Sequence, residues 1–167
     1  MSKTIKVVLV GALLLALSAG MAAAQIVAQD IITCSKGGPE RCNGSTGNDR
    51  ITGSSRADKI YAYAGSDLVD ARGGQDVVLG GADDDDPNAG GGLEGGPGND
   101  TVKGQKGDDT VKDDTRGDVD KLLGNEGNDF VDGQDGDDRD VLDCGSGRDV
   151  YEADRRDEVR NNCEREL

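Results

Sequence analysis

The sequence predicts an all-β repeat protein, a solenoid of short strands stacked along one axis. Aspartate returns with a nine-residue spacing through most of the chain, and most of these aspartates are followed two positions later by an apolar residue, usually Val or Ile. The chain has one Phe and no Trp, so a large aromatic core is excluded. Because no short repeat can bury its apolar residue alone, the repeats must stack to form a continuous core.

The composition excludes several classes of function. The 167 residues include 34 acidic and 19 basic side chains and no His, and the net charge is −15. Without His there is no Ser-His-Asp triad and no His-ligated zinc site. The acidic excess argues against nucleic-acid binding, which requires basic patches. High charge with low apolar content is typical of disordered chains, so something must neutralise the acid before this chain folds.

The N-terminal segment has the layout of a secretory signal peptide. Lys3 and Lys6 precede an apolar run at 7–17, and three alanines at 22–24 supply small residues for cleavage near Ala24. The alternative is an uncleaved membrane anchor, although Ser18 and Gly20 interrupt the apolar run. We therefore expect residues 1–24 to be removed, no membrane span after cleavage, and a secreted, extracellular protein.

The chain can be written as eleven nonapeptides beginning at Gly44, with six extra residues at 89–94 and two each at 122–123 and 142–143. The eighth place is apolar in eight of the eleven repeats. The sixth place is always aspartate, at Asp49, Asp58, Asp67, Asp76, Asp85, Asp100, Asp109, Asp118, Asp129, Asp138 and Asp149. An unbroken column of this length indicates one repeated structural unit.

The repeats resemble the glycine-rich nonapeptide G-G-x-G-x-D-x-U-x of the RTX, or haemolysin-type, calcium-binding repeats. Residues 95–103, GGPGNDTVK, match every fixed place, and the resemblance covers residues 44–152. It implies a right-handed parallel β-roll with two nonapeptides per turn. The first six residues of each repeat would form a calcium-binding turn and the last three a short strand.

The chemistry of these residues agrees with calcium as the cofactor, bound as several ions. Calcium prefers six to eight hard oxygen ligands, so one carboxylate per turn must be supplemented by backbone carbonyls and by a neighbouring turn. The candidate metal-binding residues are the eleven aspartates together with the fourth-place glycines Gly47, Gly65, Gly74, Gly98, Gly107, Gly127, Gly136 and Gly147.

Alternate repeats would be neighbours along one edge of such a roll. One edge would carry Asp49, Asp67, Asp85, Asp109, Asp129 and Asp149, and the other Asp58, Asp76, Asp100, Asp118 and Asp138. On the second edge, Arg56 and Arg116 replace fourth-place glycines, and Asp120 and Asp140 stand at the apolar place. We hypothesise that this edge binds calcium less completely, with the two arginines partly supplying the charge of the ion.

The four cysteines flank the repeats. An even number in an exported chain favours disulfides, and no C-x-x-C pair supports the alternative of a zinc site. A roll of about five turns would be about 25 Å long, too long for crosswise pairing. We therefore expect Cys34–Cys42 and Cys144–Cys163, with an N-terminal cap at 25–43 and a C-terminal cap at 153–167. Pro87 stands at a strand position, so residues 86–94 are expected to be a flexible insertion in the roll.

The function expected from the sequence is that of a secreted, non-enzymatic, monomeric protein that folds when calcium binds between stacked turns. No segment offers an effector domain, so the lytic and proteolytic activities of the family are not carried over. One alternative is a calcium-dependent adhesion or matrix protein with a cell-surface partner. A less favoured alternative is a β-helical polysaccharide-active enzyme, which would need longer coils and a basic cleft.

Overall fold

A computed structural model describes residues 30–34, 41–85, 91–136, 139–160 and 162–167. The predicted signal peptide, the first residues of the predicted N-terminal cap and Asp138 lie outside these residues.

The described residues form fifteen short strands and no helix. The strands are β1 (Asp30–Thr33), β2 (Arg41–Asn43), β3 (Asp49–Thr52), β4 (Lys59–Ala64), β5 (Leu68–Asp70), β6 (Val77–Ala82), β7 (Leu93–Glu94), β8 (Thr101–Lys106), β9 (Thr110–Lys112), β10 (Lys121–Glu126), β11 (Phe130–Asp132), β12 (Val141–Ser146), β13 (Val150–Glu152), β14 (Glu158–Val159) and β15 (Arg165–Glu166). In this part of the chain no helix could therefore span a membrane.

Successive strands alternate between two parallel sheets. The first sheet contains the eight odd-numbered strands in chain order, and the second contains the seven even-numbered strands. Each turn of the chain therefore adds one strand to each sheet. The result is a parallel β-solenoid of about six turns, which confirms the predicted fold class.

Two columns of aliphatic side chains fill the space between the sheets. The first sheet contributes Ile51, Val69, Leu93, Val111 and Val131, and the second Ile60, Val78, Val102, Leu122 and Leu142, each at most 1% exposed. Within each column the residues pair directly across neighbouring strands, as Ile51 does with Val69 and Val102 with Leu122. The apolar residues predicted at the eighth place of the repeat are confirmed as this core, apart from Tyr151, which is only half-buried.

The register predicted near the two-residue insertions is wrong. Asp120 and Asp140 do not take the core positions, because Leu122 and Leu142 are fully buried there. The two extra residues therefore lie inside the preceding turn rather than after the strand. A carboxylate in an aliphatic column would lose its hydration without gaining a partner, whereas a longer turn costs little entropy.

The insertion predicted at 86–94 is shorter than expected. Leu93 and Glu94 form β7, which pairs with β5 on one side and β9 on the other. Leu93 takes the core position at which Pro87 would break the ladder of hydrogen bonds. The excursion therefore ends before β7, and residues 86–90 lie outside the described part of the chain.

Both ends of the solenoid carry the predicted disulfides, Cys34–Cys42 and Cys144–Cys163. The segments predicted as caps also add strands to the sheets. β1 and β2 pair with β3 and β4 at the N-terminal end. At the C-terminal end, β14 and β15 pair with β12 and β13.

Candidate metal centre

A ladder of aspartates runs along the turns that precede the strands of the first sheet. In this first ladder, the backbone N–H of each aspartate donates a hydrogen bond of 2.8–2.9 Å to Oδ1 of the aspartate one coil further along. Its members are Asp49, Asp67, Asp85, Asp109, Asp129 and Asp149. The order predicted for the first edge is confirmed.

A second ladder precedes the strands of the second sheet, with the same hydrogen bonds at 2.6–3.1 Å. Its members are Asp58, Asp76, Asp100, Asp120, Asp140 and Asp157. The order predicted for the second edge is wrong after Asp100, because Asp120 takes the place expected for Asp118. Whether Asp118 and Asp138 bind metal stays a prediction.

The sequence contains a signal that identifies Asp120 and Asp140. Each is followed two positions later by an apolar residue, Leu122 and Leu142 respectively, as the sixth-place residue of a complete repeat is. Asp118 is followed two positions later by Asp120 instead. The spacing from aspartate to apolar residue is therefore a better guide to register than a count of nine.

Most ladder carboxylates have one oxygen that is buried and without a hydrogen-bond partner among the described residues. These oxygens are Oδ1 of Asp58 and Oδ2 of Asp67, Asp76, Asp85, Asp100, Asp109, Asp129, Asp140 and Asp149. Buried carboxylates are normally paired or bound to metal, because an unsatisfied charged oxygen away from water is costly. Two rows of such oxygens are the observation that indicates a cation.

Burial raises the pKa of most ladder aspartates above the ordinary value of 3.8. The pKa rises to about 8 at Asp85, and burial is the main cause, with the charges of Asp109 and Asp67 adding to it. At Asp120 it also rises to about 8, by burial and by the charges of Asp113, Asp118 and Asp140. The folded coil without a cation therefore holds these groups in an environment that disfavours their charge.

The fourth-place glycines predicted as metal-binding residues stack closely from coil to coil. A Cβ at Gly65 would lie 2.6 Å from the carbonyl carbon of Gly47. A Cβ at Gly98 would run into the carbonyl of Gly74, and a Cβ at Gly127 into that of Gly107. Gly147 stacks on Gly127 in the same way, whereas Gly136 lies against the side chain of Arg116. The stacking brings backbone carbonyls of successive turns next to the two ladders.

The first place of the repeat needs a small residue because the ladder aspartate folds back towards it. A Cβ at Gly104 would lie 2.8 Å from Cβ and Cγ of Asp109, and a Cβ at Gly124 would lie 2.8 Å from Cβ of Asp129. Each aspartate thus occupies the interior of its own turn. Its carboxylate is held there by the N–H of the preceding coil.

The turn at 113–120 is two residues longer than an ordinary turn and contains four acidic residues. Asp113, Asp120 and the neighbouring ladder residue Asp100 are all buried, and each offers a carboxylate oxygen within 4.8 Å of the others. Burial raises the pKa of all three, and the charge of Asp118 raises them further. Sequence reasoning did not identify Asp113, although every other repeat has Gly, Ala or Cys at its place.

The donor set suits calcium. The ladders offer carboxylate oxygens already oriented by backbone N–H groups, and the stacked turns offer backbone carbonyls, which are the hard ligands that calcium prefers. The described cysteines are joined in disulfides and the sequence has no His, so a soft-metal site has no ligands here.

Comparison with protein-family models agrees with this chemistry. The RTX calcium-binding nonapeptide repeat matches in four copies, at residues 43–78, 93–112 and 114–151. Neither the comparison with curated proteins nor that with solved structures gives a match. The matched segments cover more than half of the chain and contain ten of the twelve ladder aspartates, so the chain belongs to the RTX calcium-binding nonapeptide repeat family.

Proposed function

We propose that this protein is an exported, non-enzymatic calcium-binding β-roll whose folding is coupled to calcium binding. The observation that supports the proposal best is the pair of ladders, in which buried carboxylate oxygens lack partners on coil after coil. The proposed ligands are the ladder aspartates, including Asp157, together with Asp118, Asp138 and the carbonyls of the stacked fourth-place glycines. Calcium supplies the positive charge between successive turns.

The small core explains why a cation is needed. Each coil buries only one Val, Ile or Leu per sheet between the two columns. Each coil nevertheless contains 18 or more residues whose backbone entropy is lost on folding. Repulsion among buried aspartates opposes folding further. The free energy of calcium binding is therefore part of the free energy of folding.

A calcium titration of the calcium-free protein, followed by circular dichroism and calorimetry, tests this proposal. We expect a disordered spectrum without calcium, a strand spectrum at saturation, and binding of several ions per chain with midpoints of about 0.1–1 mM, as in extracellular modules. Magnesium is the control ion, since it requires a smaller and more regular site. A strand spectrum that is the same in chelator and in calcium would refute the proposal.

Export is proposed from the signal sequence and from the two disulfides, which persist in oxidising compartments. N-terminal sequencing of the protein recovered outside the producing cell should begin near Gln25. Retention of the protein in the cytosol with free thiols would contradict export and leave the calcium proposal untouched.

The non-enzymatic role is proposed because the carboxylates that might serve as acid and base are already used in the ladders. Paired carboxylates in a glycosidase flank an open cleft, whereas the ladder aspartates are buried inside turns. Assays against acidic polysaccharides should show no calcium-dependent cleavage, and measurable turnover would contradict this part of the proposal.

A further inference from the structure

Three buried carboxylates, those of Asp100, Asp113 and Asp120, meet at the long turn in an arrangement that the nine-residue repeat does not produce, and Asp118 lies in the same turn. We call Asp100, Asp113, Asp118 and Asp120 the acidic cluster. Three of them come from the single turn at 113–120, whereas an ordinary turn of the roll contributes one ladder aspartate. Each is at most 8% exposed.

Backbone N–H groups hold the four side chains in place, and Asp100 accepts its hydrogen bond from the N–H of Asp76 at 2.7 Å. Asp113 accepts hydrogen bonds from the N–H groups of Gly96 at 2.7 Å and Thr115 at 2.9 Å. Asp118 accepts one at Oδ2 from the N–H of Gly98 at 2.6 Å, and Asp120 accepts one from the N–H of Asp100 at 2.7 Å. The cluster is therefore fixed by the adjacent coil.

Two oxygens of the cluster are buried without a hydrogen-bond partner among the described residues, Oδ1 of Asp118 and Oδ2 of Asp100. A Cβ built on Gly95 would lie 2.9 Å from Oδ2 of Asp100 and 2.5 Å from Oδ2 of Asp113, so these two oxygens approach the same point. Asp118 lies close enough to act electrostatically on Asp100, Asp113 and Asp120. The partnerless Oδ2 of Asp100 therefore faces the same point as Oδ2 of Asp113, whose hydrogen-bond partner is the N–H of Gly96.

The basic residue of the long turn points the other way. Nε of Arg116 donates a hydrogen bond of 2.9 Å to the carbonyl of Asp135, and its guanidinium group lies against Gly136. Arg116 thus bridges the long turn to the coil that follows. The face towards the preceding coil, where the acidic cluster lies, receives no charge from it.

We propose that the acidic cluster, which includes two members of the second ladder, is a calcium site tighter than the other positions along the ladders and the first to fill as calcium rises. Affinity for calcium increases with the number of charged ligands and with the rigidity of the site. This inference deepens the proposed function, because it names the place where calcium-coupled folding begins. The acidic cluster would take its positive charge from calcium, whereas Arg116 supplies a fixed positive charge one coil further along.

The test compares two variants with the same change in charge. Asp113→Asn with Asp118→Asn removes two charges from the cluster, and Asp108→Asn with Asp114→Asn removes two from exposed positions, one in the preceding repeat and one in the long turn itself. Calorimetric titration of Ca²⁺ should show a tight phase in the unmodified protein and in the exposed-site variant. In the cluster variant this phase should weaken by about tenfold or more. A tight phase of equal affinity in both variants would overturn the inference.

A measurement on the unmodified protein covers the case in which the cluster variant does not fold. Crystals grown with about one Tb³⁺ per chain should show their strongest anomalous peak among the four carboxylates, because a trivalent ion favours the most acidic site. A strongest peak on a ladder, with none at the cluster, would overturn the inference. Such a result would leave the proposal of calcium-coupled folding unaffected. A chain whose structure does not change when calcium is added would instead contradict the proposed function itself.

Discussion

The two ladders start alike and diverge where the chain is lengthened. Along the first ladder the turns before each aspartate keep six residues, the extra residues lie after Asp85 and before Leu93, and glycine stacks on glycine, as at Gly107, Gly127 and Gly147. Along the second ladder the turns at 113–120 and 133–140 are two residues longer, and Arg116 fills the space between them. Yet the same N–H to carboxylate bond continues through both ladders. Except after Asp85, the ladder aspartate and the apolar residue two positions later therefore fix the register, and in the second ladder the turn accommodates the extra residues.

The stability of the calcium-free coil should depend on pH, because both ladders contain buried aspartates. Burial raises the pKa of Asp85 in the first ladder and Asp120 in the second to about 8, from an ordinary value of 3.8. Because the folded state binds more protons, the calcium-free coil should be most stable near pH 4 and lose stability as the pH rises to about 8. Circular dichroism in calcium-free buffer should therefore show more strand at pH 5 than at pH 8.

Saturating calcium reverses this trend, because protons compete with the ion for the same carboxylates. The calcium-bound protein should accordingly lose stability as the pH falls from 8 to 5. A calcium-free spectrum that does not change between these two pH values would show that the ladders are not buried as described.

The tight stacking of the first ladder can be tested by adding one methyl group. Gly127→Ala should lower the free energy of unfolding in calcium by about 2–5 kcal/mol, because φ is +148° and the Cβ would run into the carbonyl of Gly107. Gly117→Ala in the long turn is the matched control, since φ is +99° and no heavy atom lies within 4 Å of the added Cβ.

The control should cost only the conformational part, about 1–2 kcal/mol. Urea denaturation at saturating calcium measures both values. Equal losses in the two variants would mean that the two kinds of turn are packed equally closely. That result would contradict the tighter stacking described for the first ladder.

The register of the second ladder can be tested at its core residue. Leu122 is fully buried between Val102 and Leu142, so Leu122→Ala should cost about 2–5 kcal/mol. Val119, which is 46% exposed, should tolerate the change to Ala within about 0.5 kcal/mol. Thermal unfolding in calcium compares the stability of the two variants. A greater loss of stability at Val119 would support the register predicted by counting nine residues per repeat.

The smallest expected effect is a gain in stability. Gln105 has φ of +91° at the second place of its repeat, where Gly81 and Gly145 stand in the same column of β-strand residues. Gln105→Gly should raise the free energy of unfolding by about 1 kcal/mol, because only glycine adopts this conformation without strain. Lys106→Gly, at the next exposed position, should instead lower it by about 0.5–1 kcal/mol. Urea denaturation that ranks the two variants in the opposite order would contradict the assignment of strain to Gln105.

Much of the fold could be predicted because most repeats contain the glycines of the turn, the ladder aspartate and the apolar residue of the strand. The parallel solenoid, the first ladder and both disulfides follow from the spacing of Asp, Gly and Cys. The register predicted from a strict nine-residue spacing was wrong where the positions of the apolar residues indicated a different register. Leu122 and Leu142 mark the strands after the longer turns, and Leu93 is the one large apolar residue between 81 and 100. The acidic cluster could not be predicted, because the turn that brings Asp113 next to Asp100 belongs to no repeat pattern.

We propose that a cation holds this coil together, and the size of the molecule in solution is the most direct evidence for or against this proposal. Small-angle X-ray scattering at pH 7.5 should give a radius of gyration below about 20 Å in millimolar calcium and about 40 Å in chelator, the values for a compact and an unfolded chain of this length. Returning calcium to the expanded sample should restore the compact value, and magnesium should not. A compact radius that persists in chelator would contradict the claim.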